Sequence, residues 1–192
     1  MAWISKDDYV DNQNCTGDDF HPAVCNDQGA KTLEKQLIED TKNWEVEADI
    51  ITLEETMDLV PYYQELDERD KNLFLNPTEE NNSVIGAYFD AIDDAWTDKN
   101  MPEQNTPEDW IVQLNYFSEK HSELVLPKYM YKNMIETCWN YECITEGYWI
   151  KTPFSHVLHS KYAWHVYING NVNVEGVIHR VNGLRPVITL SK

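Results

Sequence analysis

Basic residues are scarce in this chain. Its 192 residues include 15 lysines and arginines against 34 aspartates and glutamates, and the formal net charge is −19. A protein with this charge is repelled by phosphate backbones, so nucleic acid is not an expected partner.

Long apolar runs are missing as well. No run approaches the ~20 residues that span a bilayer, and residues 1–8 lack the charged and apolar regions of a signal peptide. We therefore predict no membrane insertion in this segment. An export signal or an anchor would have to belong to a longer form of the protein.

Motifs for hydrolase, nucleotide or metalloprotease chemistry are also absent. The chain contains no Gly-x-Ser-x-Gly, no P-loop, no His-Glu-x-x-His and no dinucleotide-binding fingerprint. It does contain 42% hydrophobic and 12% aromatic residues, which distinguishes it from an acidic disordered polymer. The sequence therefore predicts a folded protein that is not an enzyme.

The charge is unevenly distributed along the chain. Residues 147–192 hold five basic residues and one acidic residue, a net charge of +4, which leaves −23 for residues 1–146. We expect one domain over residues 1–192, with a helix-rich acidic part (1–146) and a strand-rich part (147–192) sharing one core. No Pro/Gly/Ser-rich linker divides the two parts.

The acidic part contains two segments with clear helix starts. Thr52-Leu53-Glu54-Glu55 is a capping box and predicts a short helix that ends before Pro61. Thr106-Pro107-Glu108-Asp109 combines an N-cap, a proline at the first helical position and acidic residues in the first turn, and predicts a helix to about Lys120.

Periodicity alone predicts two further helices. Apolar residues recur at helical spacing between 30 and 44 and again between 84 and 96. The outer face of the second helix carries Asp90, Asp93 and Asp94. Ile50-Ile51 is predicted to be a short buried strand.

The last part of the chain has strand character. Residues 162–168 are β-branched and aromatic, and Asn169-Gly170 is the strongest short signal for a type I′ turn, so residues 162–174 are predicted to form a β-hairpin. Residues 186–190 are predicted to form a last strand, with Pro186 at its start.

An ordered series of motifs in the second half carries a resemblance. The motifs are Leu126-Pro127-Lys128-Tyr129-Met130-Tyr131, Gly147-Tyr148-Trp149-Ile150-Lys151-Thr152-Pro153, Tyr162-Ala163-Trp164-His165-Val166, Gly170-Asn171-Val172-Asn173 and Asn182-Gly183-Leu184-Arg185-Pro186-Val187-Ile188-Thr189-Leu190. They resemble a family of bacterial surface-protein domains related to the C-type-lectin-like and formylglycine-generating-enzyme fold. The likeness covers about a third of the chain, and residues 64–123 match nothing in it.

The resemblance implies an α+β fold of the C-type-lectin-like kind, a twisted antiparallel sheet with flanking helices, to which acidic helices are added in the middle. It also implies a cell-surface location outside a bacterium and a role in binding a glycan or a protein on another surface. Trp149 and Trp164 would pack in the core, and Arg185 would be held by backbone carbonyls or by an acid. A pilus or surface-layer subunit is the alternative function.

The cysteines form two local pairs, Cys15 with Cys25 and Cys138 with Cys143, and in an exported acidic domain they predict two disulfides. A formylglycine-type oxidase would instead need a reactive thiol at Cys138 or Cys143. These two residues lie before the Gly-Tyr-Trp strand, which is the wrong position for that chemistry.

Metal binding is a minor alternative. His156, His159, His165 and His179 are close in sequence, yet no Asp or Cys neighbours them as a zinc ligand. His165 is expected on the outer face of its strand. Calcium is left open because acidic residues are plentiful, although neither Asp90, Asp93 and Asp94 nor Asp7, Asp8 and Asp11 have EF-hand spacing. No cofactor is predicted.

Aromatic, amide and charged side chains combine along the hairpin and the loops around it. Such mixtures are used to bind sugars and to make adaptable protein contacts. The asparagine-rich segments 169–173 and 180–182 are expected to be exposed loops on a rigid scaffold. The predicted ligand-binding residues are Tyr162, His165, Tyr167, Asn171, Asn173, Glu175 and His179.

Overall fold

The computed structural model describes residues 1–10, 15, 24–78, 81–132, 134, 147–155, 161–180 and 182–188. Helices dominate the first two thirds and strands the last third. The helices are α1 (Lys31–Thr41), α2 (Leu53–Met57), α3 (Pro61–Gln64), α4 (Glu68–Leu75), α5 (Ser83–Trp96) and α6 (Pro107–Lys120). The strands are β1 (Asp49–Ile50), β2 (Gly147–Pro153), β3 (Tyr162–Tyr167), β4 (Val172–Gly176), β5 (Asn182–Gly183) and β6 (Pro186–Val187).

The larger sheet has four strands in the order β4-β3-β2-β5. β2 pairs antiparallel with β3, and β3 pairs antiparallel with β4, whereas β5 runs parallel to β2. A second, two-stranded sheet joins β1 to β6 in antiparallel orientation. The chain is therefore α+β, with a mixed sheet and flanking helices.

The capping box predicted at Thr52 and the N-cap predicted at Thr106 are confirmed, and Thr106 also forms a full capping box. Thr52 accepts a hydrogen bond from the Glu55 N–H, and Thr106 accepts one from the Asp109 N–H, and in both cases the acidic side chain accepts from the N-cap backbone. Pro61 does not merely end the first of these segments. It occupies the first turn of α3, where a backbone N–H would have no acceptor within the helix, so the missing N–H of proline costs no hydrogen bond.

The helix start at Thr106 gives a simple stability prediction. Thr106→Ala removes the side-chain oxygen that the Asp109 N–H binds, so we expect the free energy of unfolding to fall by about 1 kcal/mol. Thr106→Ser keeps the hydroxyl, so its free energy of unfolding should fall by less than half of that amount. Urea unfolding of the two variants measures the difference, and an equal loss in both would contradict a capping role.

Two groups of apolar side chains lie on opposite faces of the larger sheet. On one face, Trp164 and Val166 pack with Tyr88 and Phe117 from the helices. On the other face, Trp149 packs with Trp3 from the N-terminal segment. The Trp3 indole N–H donates to the Ile150 carbonyl at 2.9 Å. Both faces of the sheet are thus covered, and the larger cluster is on the helix side.

The hairpin is confirmed, but its turn is one residue earlier than predicted. The Gly170 N–H donates to the Tyr167 carbonyl at 2.9 Å, so Ile168 and Asn169 occupy the centre of the turn. Gly170 follows with φ +90°. This arrangement is typical of a longer loop in which a glycine with positive φ follows the turn.

The other predicted elements are confirmed with modified bounds. The helix predicted over 30–44 ends at Thr41, and Trp44 is half exposed. The strand predicted at Ile50-Ile51 is β1, and α5 begins one residue before the predicted start. Of the last strand, residues 189–190 lie outside the described residues.

Candidate functional site

The β3–β4 hairpin distributes the predicted ligand-binding residues over both faces of the sheet. His165 is paired with Asn173 and Ala163 with Glu175, and directly paired residues project to the same side. Tyr162 is paired with Gly176 and belongs to the opposite, helix-covered face. The seven residues therefore do not share one surface.

His165 is buried, so the prediction that it lies on the outer face is wrong. Only 3% of the residue is exposed, and its Nδ1 lies 3.1 Å from Oδ1 of Asn182. The rings of Trp149 and Tyr167 flank the imidazole, each with a centroid separation of 6.1 Å. Burial lowers the pKa of His165 to about 4, although the Asn182 hydrogen bond and the Glu175 carboxylate oppose this shift. The imidazole is neutral at pH 7.

Three of the four asparagines of the late loops are also buried, which contradicts their predicted exposure. Asn169, Asn171 and Asn182 are 0%, 2% and 0% exposed. A short 3-10 helix, which we call η1, spans Lys128–Met130. The chain segment just before it covers the turn, and its Leu126 N–H donates to the Gly170 carbonyl at 2.9 Å. Asn171 is therefore held inside the fold and does not face an external ligand in this conformation.

Three predicted residues do meet at the open end of the hairpin. Tyr162, Glu175 and His179 line one small depression of about 60 Å³ together with Lys161. His179 Nδ1 lies 2.5 Å from Glu175 Oε1, and the same oxygen accepts the Gly176 N–H at 2.7 Å. We call this group the Glu175–His179 depression. The accessible surface of the depression itself is almost entirely apolar, so a polar ligand group would have to meet the Glu175 and His179 side chains beside it.

Tyr167 and Asn173 remain half exposed elsewhere on the hairpin. The Tyr167 N–H donates to the Asn171 carbonyl at 2.9 Å, and the Asn173 side chain accepts from the Val174 N–H at 2.8 Å. Neither residue lines the Glu175–His179 depression, whose described lining is Val24, Lys161, Tyr162, Glu175, Gly176, Val177, Ile178 and His179.

A larger cleft lies between α5 and the helix-covered face of the hairpin. Its volume is about 290 Å³, and its described lining is Asn82, Ile85, Gly86, Phe89, Phe154, Tyr162 and Val174. We call it the α5 cleft. Of these residues only Tyr162 was predicted as a ligand-binding residue. Sequence reasoning missed the other six; the signal that could have indicated the site is Gly86, an isolated glycine inside an amphipathic helix pattern.

The residues predicted to be structural lie as follows. Trp149 and Trp164 are 0% and 1% exposed. Arg185 donates from Nη1 to the Met130 carbonyl and from Nη2 to the Tyr129 carbonyl, and its guanidinium lies 5.3 Å from the centre of the Tyr148 ring. Arg185 thus connects the segment before β6 to η1.

Of the two predicted disulfides, the structure describes Cys15–Cys25, with an S–S distance of 2.07 Å. Cys138 and Cys143 lie outside the described residues, as do His156, His159 and Asp11. Within the described part of the chain, no group of three or more His, Cys, Asp or Glu side chains could hold a metal ion. Asp90, Asp93 and Asp94 are exposed along α5.

A membrane-crossing helix is likewise not found among the described residues: none is both long and apolar enough. Comparison of the chain with protein-family models, with curated proteins and with solved structures returns no match in any of the three.

Proposed function

We propose that this chain is a non-catalytic ligand-binding module of a bacterial surface protein, with a C-type-lectin-like fold and an extracellular location. The observation that carries the proposal is the meeting of Tyr162, Glu175 and His179 at the open end of the hairpin, beside Lys161. A carboxylate, an imidazole and an ammonium group beside one depression can exchange hydrogen bonds with a glycan or with a polar protein surface.

The scaffold beneath this depression supports the proposal. The side chains of Trp3, Trp149 and Trp164 are fully buried on the two sides of the sheet that presents it. The Trp3 N–H also donates to the Val177 carbonyl at 2.8 Å, which ties the residues after β4 to the N-terminal segment. Rigid support of this kind reduces the entropy that a binding surface loses when a ligand is bound.

A glycan and surface-protein array, probed with the purified chain, tests the proposal. We expect at least one saturable ligand. We also expect Glu175→Gln to weaken it about tenfold or more, because a hydrogen bond to a charged group contributes ~1.5–3 kcal/mol. Binding should survive a chelator, because Glu175 is the only carboxylate among the described residues of the depression.

The matched control is Glu65→Gln, which removes one negative charge at an exposed position after α3. Long-range charge effects on binding should be the same in both variants, so only a local role distinguishes them. Absence of binding by folded protein, or equal affinities of Glu175→Gln and Glu65→Gln for the ligand found, would contradict the proposed site. Binding to further copies of this chain alone would favour a pilus or surface-layer subunit.

A further inference from the structure

The α5 cleft has walls of fixed aromatic rings. Phe89 stacks on Trp164 with ring centroids 6.0 Å apart and planes inclined by 23°. Phe154 meets the same indole edge-on at 5.1 Å. Trp164 is 1% exposed, so both phenyl rings pack against an indole that lies inside the fold. The cleft is therefore preorganised to receive a flat or ring-shaped apolar surface.

Gly86 keeps one side of the cleft open. It lies within α5, where glycine is destabilising by roughly 0.5–1 kcal/mol relative to alanine. A Cβ atom built at this position would meet no atom of the described neighbouring residues within 4 Å, so no close contact among them requires glycine. The effect of having no side chain at residue 86 is to leave space in the cleft.

Asn82 lines the same cleft, and its side chain contains a buried acceptor. Its Oδ1 is buried and has no hydrogen-bond partner among the residues that the structure describes, and its side chain does not cap α5. A buried acceptor without a partner is unfavourable by ~1–3 kcal/mol, so a ligand with a hydroxyl or N–H donor would relieve this penalty. No charged side chain is among the described lining residues, and a charged ligand would be left without a counter-charge.

From these observations we propose that the α5 cleft binds a neutral sugar ring. A pyranose presents C–H bonds on its flat faces, which suit the electron-rich faces of aromatic rings, and hydroxyl donors around its rim. The volume of about 290 Å³ lies at the lower limit of small-molecule pockets and suits about one ring. The inference goes beyond the Glu175–His179 depression, with which the cleft shares only Tyr162 among the described residues.

Ligand-observed NMR with four methyl pyranosides (glucoside, galactoside, mannoside and N-acetylglucosaminide) tests the proposal. We expect saturation transfer to at least one of them, with a dissociation constant on the order of 1 mM. Gly86→Leu should fill the cleft and reduce the affinity at least tenfold. Ala87→Leu is the matched control, because it places a leucine at the next position of α5, which is exposed. It should leave binding unchanged.

Asn82→Ala provides a second variant that adds no volume. It should weaken binding about fivefold to tenfold by removing the acceptor. Pyranoside binding that is lost in Gly86→Leu and kept in Ala87→Leu assigns the sugar to the cleft, whereas the array result depends on Glu175, so a failure of the depression and a failure of the cleft can be distinguished. Saturation transfer to none of the four pyranosides, equal binding by Gly86→Leu and Ala87→Leu, or binding of indole in place of the sugars would overturn the proposal.

Discussion

Gly147→Ala is expected to lower the free energy of unfolding by about 3 kcal/mol or more, the upper range for overpacking of a well-packed interior. A Cβ atom at residue 147 would lie 1.9 Å from the Val166 carbonyl oxygen and 3.1 Å from the Asn182 Oδ1. The first of these atoms is backbone and cannot rotate away. Gly147 is also paired with Tyr167 on one side and with Asn182 on the other, so β2 has no free direction in which to move.

Gly86→Ala is the control for this prediction. It makes the same chemical change inside a helix, where the added methyl group meets no neighbouring atom within 4 Å in the part of the chain that the structure describes. We expect it to stabilise the protein by about 0.5–1 kcal/mol. Urea unfolding followed by tryptophan fluorescence measures both variants. A loss below 1 kcal/mol in Gly147→Ala would show that β2 and β3 separate more easily than their pairing indicates.

The second large effect expected is a loss of stability between pH 7 and pH 4 that depends on His165. Burial lowers the pKa of this imidazole to about 4, whereas an unfolded histidine has a pKa of ~6.5. Between these values the unfolded state binds the proton and the folded state does not, so stability falls as the pH falls. The contribution reaches about 3 kcal/mol at pH 4.

His165→Gln isolates this contribution. Glutamine can still meet the Asn182 Oδ1 but does not titrate in this range. We expect the variant to be less stable than the original protein at pH 7 and the difference to shrink by about 3 kcal/mol at pH 4. Asp8, whose pKa is held low chiefly by the Thr32 hydroxyl, contributes equally in both proteins. A constant difference across the pH range would show that His165 is exposed to water.

Local interactions made several elements predictable from the sequence. Thr52 and Thr106 are N-caps because each is followed three residues later by an acidic side chain that can bind back. α5 was predictable from the spacing of its apolar residues, and the hairpin from its strand residues and Gly170. Each of these signals depends on residues that are close to one another in the sequence.

The turn register and the exposure of the hairpin were not predictable in the same way. The loop around Gly170 is packed under the side chain of Tyr131, since a Cβ atom at residue 170 would lie 2.3 Å from that ring. Asn171 forms a bridge with Val125, a residue distant in sequence. Polar residue types predicted a wet surface here, but a segment from the acidic part of the chain covers it.

The sequence by itself determined the negative charge, the helix starts and the strand-rich end of this protein, because these depend on composition and on neighbours along the chain. Only the tertiary structure decided that His165 is buried, that Glu175 meets His179 and that a cleft opens beside Gly86. Each of these depends on which distant segment packs against a strand or a helix face. Alternation along one strand indicates two faces, but it does not indicate what covers them.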